Sequence, residues 1–270
     1  MKIEYKKQAR LAISVLQHIA KEQCFALKGG SAINFFLYDV PRLSVDIDLS
    51  YIEFSPRNEA IANINAALGR ALKNLGKSSI NFEISIKDDN MQKINCFNDE
   101  AEVKIDINYI ARGYAYEPII KPISPKIRQD YEFVEMKILS IAELYGGKIC
   151  AALNRQHPRD LFDIKILFEN EGITEYIKNG FIVCMLGDNG APYELLAPKI
   201  KDQRKTLDNS FNGMTDRPFS YQDHESALQE LIKTLHKSLT DKDKEFIISF
   251  FSLNPKWELN NIPNLQKLPA

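Results

Sequence analysis

The sequence predicts an α+β fold, with strands confined to the first half of the chain and helices filling the second. Two patterns predict it. Apolar and polar residues alternate at 45–50, 82–86 and 103–109, as in strands with one wet face. Elsewhere apolar residues recur at three- and four-residue spacings, as in helices packed along one side.

In chain order, residues 1–26 read as a helix, with Ala9, Ile13, Leu16 and Ile19 on one stripe. Leu27-Lys28-Gly29-Gly30-Ser31 is a glycine turn, and residues 32–37 a short helix. Val45, Ile47 and Leu49 then alternate with Asp46, Asp48 and Ser50. Residues 58–75 are helical. The strands at 82–86 and 103–109 flank a turn signal, Asp88-Asp89-Asn90. Pro118, Pro122 and Pro125 make 113–135 a connector with room for an edge strand. Ser140 with Glu143 fits a capping box opening a helix to about Arg155, and Pro158 suits the first turn of another through Phe168. Residues 185–197 read as a loop, 224–238 and 241–252 as helices, and the tail from Asn254 as irregular. The expected division is 1–133, carrying the strands, and 134–270, mainly helical.

The chain has 270 residues, enough to bury a core as one large domain or two modest ones. Its formal net charge of −1 does not demand a polyanionic partner, although a local basic face can serve one. No apolar run reaches the roughly 18–20 residues that span a bilayer, so no membrane role is expected. The charged start MKIEYKKQAR lacks a following apolar segment with a cleavage site, so no signal peptide is read. Cys24, Cys96, Cys150 and Cys184 form no CxxC pair, and the histidines are equally scattered. A zinc cluster or disulfide framework is therefore not expected, and free thiols in a reducing cytoplasm are.

Three groups of residues carry chemistry. Asp46 and Asp48, two apart on a strand, point to one side with Cβ atoms roughly 6–7 Å apart. Side-by-side carboxylates raise each other's pKa unless a cation sits between them, and a divalent metal removes that penalty. Alone, such a pair is more often a solvated strand face. Gly29-Gly30-Ser31 before a helix offers backbone N–H groups, a helix N-terminus and a hydroxyl to an anion; alone, it is more often a turn. Lys148, Ala152 and Arg155 lie at i, i+4 and i+7 of one helix, and Asp160 and Asp163 share a face of the next. The acids could hold the two cations in place, or one could act as base toward an attacking hydroxyl; a surface salt-bridge lattice is the plain alternative.

Taken together, Gly-Gly-Ser-Ala-Ile and then Arg42-Leu43-Ser44-Val45-Asp46-Ile47-Asp48-Leu49 resemble the nucleotidyltransferase superfamily signature, and within it the AbiEii/AbiGii-type toxin group. The fourteen residues between Ser31 and Asp46 are long for the superfamily and usual for this group. Lys148-x-x-Ala151-x-x-x-Arg155 and then Arg159-Asp160-x-x-Asp163 are similar to the group's second block. The match is good over 27–50 and 138–165, weak over 51–130 and absent after 170. Gly146-Gly147 departs from it, and each interior glycine costs about 1 kcal/mol relative to alanine; close packing or approach to a nucleotide would explain the pair.

The resemblance implies a nucleotidyltransferase-like mixed, mostly antiparallel sheet with flanking helices and a helical lobe completing the active-site cleft. It implies transfer of a nucleoside monophosphate from an NTP to a hydroxyl, with Mg2+ (or Mn2+) held by Asp46, Asp48 and a third carboxylate. Asp106 is the candidate for the third and Glu102 the fallback. Gly29, Gly30, Ser31, Lys148 and Arg155 would bind the nucleotide, and Asp46, Asp48, Lys148, Asp160 and Asp163 would be catalytic. Alanine at Asp48 or Lys148 should abolish transfer and leave the fold intact. The group implies a toxin of a toxin–antitoxin pair, a cognate antitoxin and an RNA acceptor, some members acting on tRNA 3′ ends. Lys199/Lys201/Arg204/Lys205 and Lys121/Lys126/Arg128 could track an RNA backbone, although runs this short are usually solvated faces. A small-molecule acceptor, or nucleotide binding without transfer, are the alternatives. His157 is expected to cap or lie at the surface, and Trp257 to pack the tail down.

Overall fold

The computed structural model describes residues 1–87, 90–188 and 190–269. The first two residues of the turn expected at 88–90 lie outside the described residues. The chain divides into two compact units. The first is Met1–Leu139 with Gly213–Arg217 and Gln266–Pro269; the second is Ser140–Asn212 with Pro218–Leu265.

The first unit contains α1 (Ile3–Ile19), β1 (Phe25–Lys28), α2 (Gly29–Ala32), a π turn over Ile33–Leu37, β2 (Asp46–Tyr51) and α3 (Arg57–Leu75). It continues with β3 (Asn81–Lys87), β4 (Asn90–Phe97), β5 (Glu102–Arg112), β6 (Ile119–Pro122), α4 (Pro125–Asp130) and β7 (Glu135–Ile138). Among the described residues the strands form one sheet in the order β3-β4-β5-β2-β1-β7-β6. Pairing is parallel at β2–β5 and β1–β7, and antiparallel between the other neighbours. The sheet is mixed and mostly antiparallel, as expected.

Alternation decides its faces. Ile47, Leu49, Ile94 and Ile105 are fully buried, and α1 and α3 pack on β2, β4 and β5 to cover them. The buried stripes of these helices run through Ile13 and Leu16 on α1, and Ile64 and Leu68 on α3. β2 therefore keeps its acidic positions on the opposite side.

The helix expected over 1–26 ends at Ile19, and Phe25–Lys28 is an inner strand between β2 and β7. Phe25, Ala26 and Leu27 are all buried, so this strand shows no alternation to read. β4 has no counterpart among the expected strands; its alternating signal is only Ile94 and Cys96, both fully buried, since Met91 and Phe97 fall on the other parity. In the connector, β6 is an edge strand, and α4 and β7 follow it; β7 is grouped with the first unit rather than lying beyond the 133/134 division. Val40, in the loop before β2, has φ 55, a left-handed conformation that strains a β-branched residue by roughly 1–3 kcal/mol.

The second unit contains α5 (Ile141–Arg155), α6 (Pro158–Asn170), α7 (Glu175–Leu186), α8 (Pro192–Leu196), α9 (Arg204–Ser210), α10 (Tyr221–Ser238) and α11 (Asp241–Phe251). Ser140 caps α5 by accepting from the Glu143 N–H at 3.2 Å, and its own hydroxyl donates to Glu143 Oε2 at 3.0 Å. Pro158 is at the first turn of α6, whose cap is His157: its Nδ1 accepts from Arg159 N–H at 3.1 Å. Trp257 packs on Phe246 and Phe250 and so holds the tail. The loop expected at 185–197 instead holds the end of α7 and the short α8, which Pro192 opens.

α5 and α7 meet through glycine. A Cβ added at Gly146 would collide with the Gly180 backbone, and one added at Gly180 would collide with the Ala142 backbone. Gly147 differs, since an added Cβ there would meet only Cys184 Sγ at 3.9 Å. Close helix packing thus explains Gly146 and leaves Gly147 without a steric reason. Gly147→Ala is expected to raise stability by up to about 1 kcal/mol. Gly180→Ala is expected to lower it by about 1–3 kcal/mol, because overpacking outweighs the same propensity gain. Urea midpoints of the two variants check both signs.

Candidate active site

The first unit presents a row of carboxylates on the side of its sheet opposite the buried Ile47, Leu49 and Ile105. Asp46 and Asp48 occupy alternate positions of β2 and are half-buried. The parallel neighbour β5 sets Asp106 level with Asp48, and Lys104 level with Asp46. β1 sets Lys28 level with Asp48 from the other side, and β4 sets Lys93 level with Asp106. One rung across four strands therefore reads Lys28, Asp48, Asp106, Lys93. Glu102 lies four residues back along β5, roughly 13 Å from Asp106 at the usual strand rise. The register brings Asp106, and not Glu102, to the aspartate pair.

The glycine turn is pressed onto this row. Gly29 has φ 70, and a Cβ there would overlap the Asp48 carboxylate, with Asp48 Cγ only 3.3 Å away. A Cβ at Gly30 would lie 2.6 Å from the Arg42 guanidinium and 3.0 Å from Ser44 Oγ. Both glycines thus have steric reasons, and Gly29 a conformational one. Ser31 sits inside the first helical turn and is buried. Its hydroxyl bonds to Ser44 Oγ at 3.1 Å and donates to the Asp46 carbonyl, so it ties the turn to β2. The expected use of that hydroxyl on a phosphate would require it to leave the Asp46 carbonyl. Arg42, 2% exposed, donates from Nη1 to the Leu43 carbonyl at 2.9 Å and stands behind Gly30.

The second unit holds an ion cluster between α5 and α6. Lys148 Nζ lies 2.8 Å from Asp160 Oδ1 and 3.0 Å from Asp163 Oδ2. Arg155 forks onto Asp160, with Nε 2.6 Å from Oδ2 and Nη2 3.0 Å from Oδ1. Both aspartates are 1% exposed and Lys148 is 6% exposed, while Arg155 is 62% exposed. Burial would raise the Asp160 pKa, but Lys148 and Arg155 outweigh it and hold the carboxyl well below the usual carboxylate range. Asp160 is therefore a poor proton acceptor at neutral pH.

α5 ends on Gln156, whose φ of 52 turns the chain. The Gln156 side chain donates to the Lys199 carbonyl and accepts from Lys201 N–H, each at 2.9 Å, while His224 Nε2 meets the Gln156 carbonyl at 2.9 Å. The basic segment after residue 198 is thus moored beside Arg155. Lys201 Nζ is already on the Asn154 carbonyl, and Arg204 lies 4.5 Å over the Tyr221 ring and pairs with Asp202. Of the other basic group, Arg128 stacks over Phe133 at 4.7 Å.

The family model for AbiEii, the nucleotidyl transferase toxin of type IV toxin–antitoxin systems, matches residues 11–263. The chain belongs to the AbiEii nucleotidyltransferase toxin family. Among solved structures, MenT4, a nucleotidyltransferase toxin from Mycobacterium tuberculosis H37Rv, shares the fold with TM-score 0.65 at 13% identity, over 94% of this chain and 96% of that one. Vibrio cholerae DncV cyclic AMP-GMP synthase, in complex with a linear intermediate, aligns over 91% of this chain and 71% of that one, with TM-score 0.21 and 13% identity. No curated protein matches the sequence. The expected fold class and family are thereby established, and a transferase activity follows for an AbiEii member. Among the described residues no helix is long and apolar enough to cross a membrane.

The donor set of this AbiEii chain fits Mg2+ in kind. It is all oxygen, and Mg2+ takes one or two carboxylates and completes its octahedron with phosphate oxygens and water. Among the described residues no three His, Cys, Asp or Glu side chains are gathered as a ready cage. Sequence reasoning missed Lys28, Lys93 and Lys104, because only strand order and register show that they flank the carboxylates.

The expectation that Lys148 can be removed without harm to the fold fails on burial. Lys148→Met removes the cation that buried Asp160 and Asp163 share, leaving Asp160 with its Arg155 fork, and is expected to cost about 3–5 kcal/mol. Adding Asp160→Asn and Asp163→Asn should recover most of that loss. The depressed Asp160 pKa stabilises the fold above the unfolded carboxylate value of about 3.9, and this is lost as pH falls below it. Acid titration of stability should therefore be steep below about pH 4 in the wild type and flatter in Asp160→Asn.

Proposed function

We propose that this chain moves a nucleoside monophosphate from an NTP to a hydroxyl of RNA, with tRNA the first acceptor to test, as the toxin of a toxin–antitoxin pair. The observation that carries the reading is the level placement of Asp48 and Asp106 beside Asp46, with the Gly29 backbone pressed on Asp48. Asp46, Asp48 and Asp106 would hold Mg2+, or Mn2+ in its place. Bound there, the ion would supply positive charge to offset that of the phosphates.

The chain's own groups supply the remaining functions. Gly29 and Gly30 let the phosphates approach the backbone at a helix start. Lys28, level with Asp48, places a point charge beside the same turn. Lys93 and Lys104, both exposed on the other side of the pair, suit the backbone of a polyanionic acceptor. In the transfer the acceptor oxygen bonds to the α-phosphorus, the bridging P–O bond breaks, the hydroxyl proton passes to solvent or a base, and pyrophosphate leaves. Asp160 acts as an anchor for Lys148 and Arg155, not as that base. Asp163 shares the anchoring of Lys148, and Arg155, exposed while forked onto Asp160, is the cluster's cation at the surface.

The test incubates the protein with each labelled NTP, Mg2+ and total cellular RNA. Label should enter RNA with release of pyrophosphate. Asp48→Asn, half-buried and outside the core, should lower transfer by about 100-fold or more while the protein stays folded. Near wild-type transfer by Asp48→Asn would refute the assignment. Label entering a small molecule would redirect the acceptor, and NTP binding without pyrophosphate release would leave a binding protein. For an RNA acceptor, affinity should fall steeply with salt. Lys93→Gln with Lys104→Gln should make that dependence shallower, by a slope of roughly 1 for each phosphate no longer neutralised.

A further inference from the structure

A pocket of about 400 Å3 opens in the first unit between α1, the π turn, α4 and the segment around Asp216. Its floor is aliphatic and aromatic: Ala9, Ile13, Phe35, Leu43 and Ile127 are all nearly or fully buried. Its rim is cationic. Lys6, Lys7, Arg10 and Lys126 line it, against the carboxylates Glu100 and Asp216. Glu100 is taken by Lys7 at 3.1 Å, and Asp216 by the N-terminal amine. Arg10 lies 5.5 Å over the Tyr131 ring, which also lines the pocket. The described rim therefore carries an excess of positive charge over an apolar floor.

Two backbone irregularities converge on this pocket. Phe35 sits in the π turn, and Val40 holds its left-handed φ of 55 at the wall. Such turns and strained residues gather at ligand sites more than in plain scaffold. The volume falls within the range of small-molecule sites, which pair an apolar lining with a few placed charges.

We propose that this pocket is a binding site for a small organic anion with an apolar body, seated on Phe35, Leu43 and Ile127 with its charge among Lys6, Arg10 and Lys126. The site does not depend on the transfer reading, since none of these residues belongs to the carboxylate row. Its wall nevertheless belongs to the helical segment that begins at Gly29-Gly30-Ser31, so an occupant touches the continuation of the glycine turn.

The probe is 1-anilinonaphthalene-8-sulfonate, an aromatic body with one sulfonate, titrated by fluorescence into the full chain. One-site saturation is expected. The double variant Arg10→Glu with Lys126→Glu should bind at least tenfold more weakly. Lys73→Glu with Lys77→Glu, an equal charge change on exposed positions outside the pocket, should bind as the wild type does, and both variants should keep their melting temperatures because the changed side chains are exposed. Mg-ATP should not displace the probe. Failure to saturate at one site, equal weakening in both double variants, or displacement by Mg-ATP would each overturn the proposal.

Discussion

Asp48 and Asp106 stand level on adjacent parallel strands, which lie about 4.8 Å apart, with Asp46 on the same side. Like charges this close repel one another. A fold gains nothing from such a row unless cations meet it. The sheet order answers part of the cost, by setting Lys28 and Lys93 at the ends of the rung. The rest of the first unit follows from holding that row in place. Fully buried Ile47, Leu49 and Ile105 fix the parity of β2 and β5, so a slip of one residue would turn the carboxylates into the core. Ser31 pins the glycine turn to the β2 backbone at Asp46, and the missing side chain at Gly29 leaves room for Asp48.

The second unit handles charge in the opposite way. It buries its ions and compensates them locally. Lys148 has two carboxylates within 3.0 Å, and Asp160 has two cations. Such clusters rarely add net stability over an apolar core of equal volume, yet losing one member is costly. A chain that keeps one therefore gains something besides stability, namely a fixed geometry for α5 against α6 and for the exposed Arg155. Lys178 repeats the device between α7 and α11, where it is 1% exposed and reaches Asp243 at 2.8 Å and Glu175 at 2.7 Å. The two clusters differ in what they leave outside. Around Lys178 the exposed member is the acid Glu175, while around Lys148 it is a guanidinium suited to phosphate.

The amphipathic elements were legible from sequence because burial on one side writes a period into the chain. α3, α5, α6, α10 and α11 fall within a few residues of their expected positions, and so do β2 and β5; β3 shows the same alternation, although its Ile84 and Ile86 are exposed. The misses are elements whose environment writes no period. β1 is an inner strand with three consecutive buried residues, so it reads as a continuation of the helix before it. β4 and β7 each offer only two alternating apolar residues. α7 is apolar nearly all round, because Gly180 lets it press onto α5, and a helix buried on several sides loses its stripe. The same limit applies to the site. Asp46, Asp48 and Asp106 could be chosen by parity within each strand, but the level placement of Asp48 and Asp106, and the lysines beside them, depend on strand order, which no local pattern encodes.

The two glycine pairs show why motif and role must be separated by geometry. Gly29-Gly30 and Gly146-Gly147 look alike in sequence, and each pair invites one explanation. In the first, both members are needed, one against a carboxylate and one against a guanidinium, so the pair shapes a polar surface. In the second, Gly146 is needed against a helix backbone, while a side chain at Gly147 would make only ordinary contact with Cys184. An approach to nucleotide is therefore not required to account for Gly146, and helix packing does not account for Gly147. The nucleotide reading rests on Gly29 and Gly30, whose absent side chains let the start of the helical segment pack against Asp48 and Arg42.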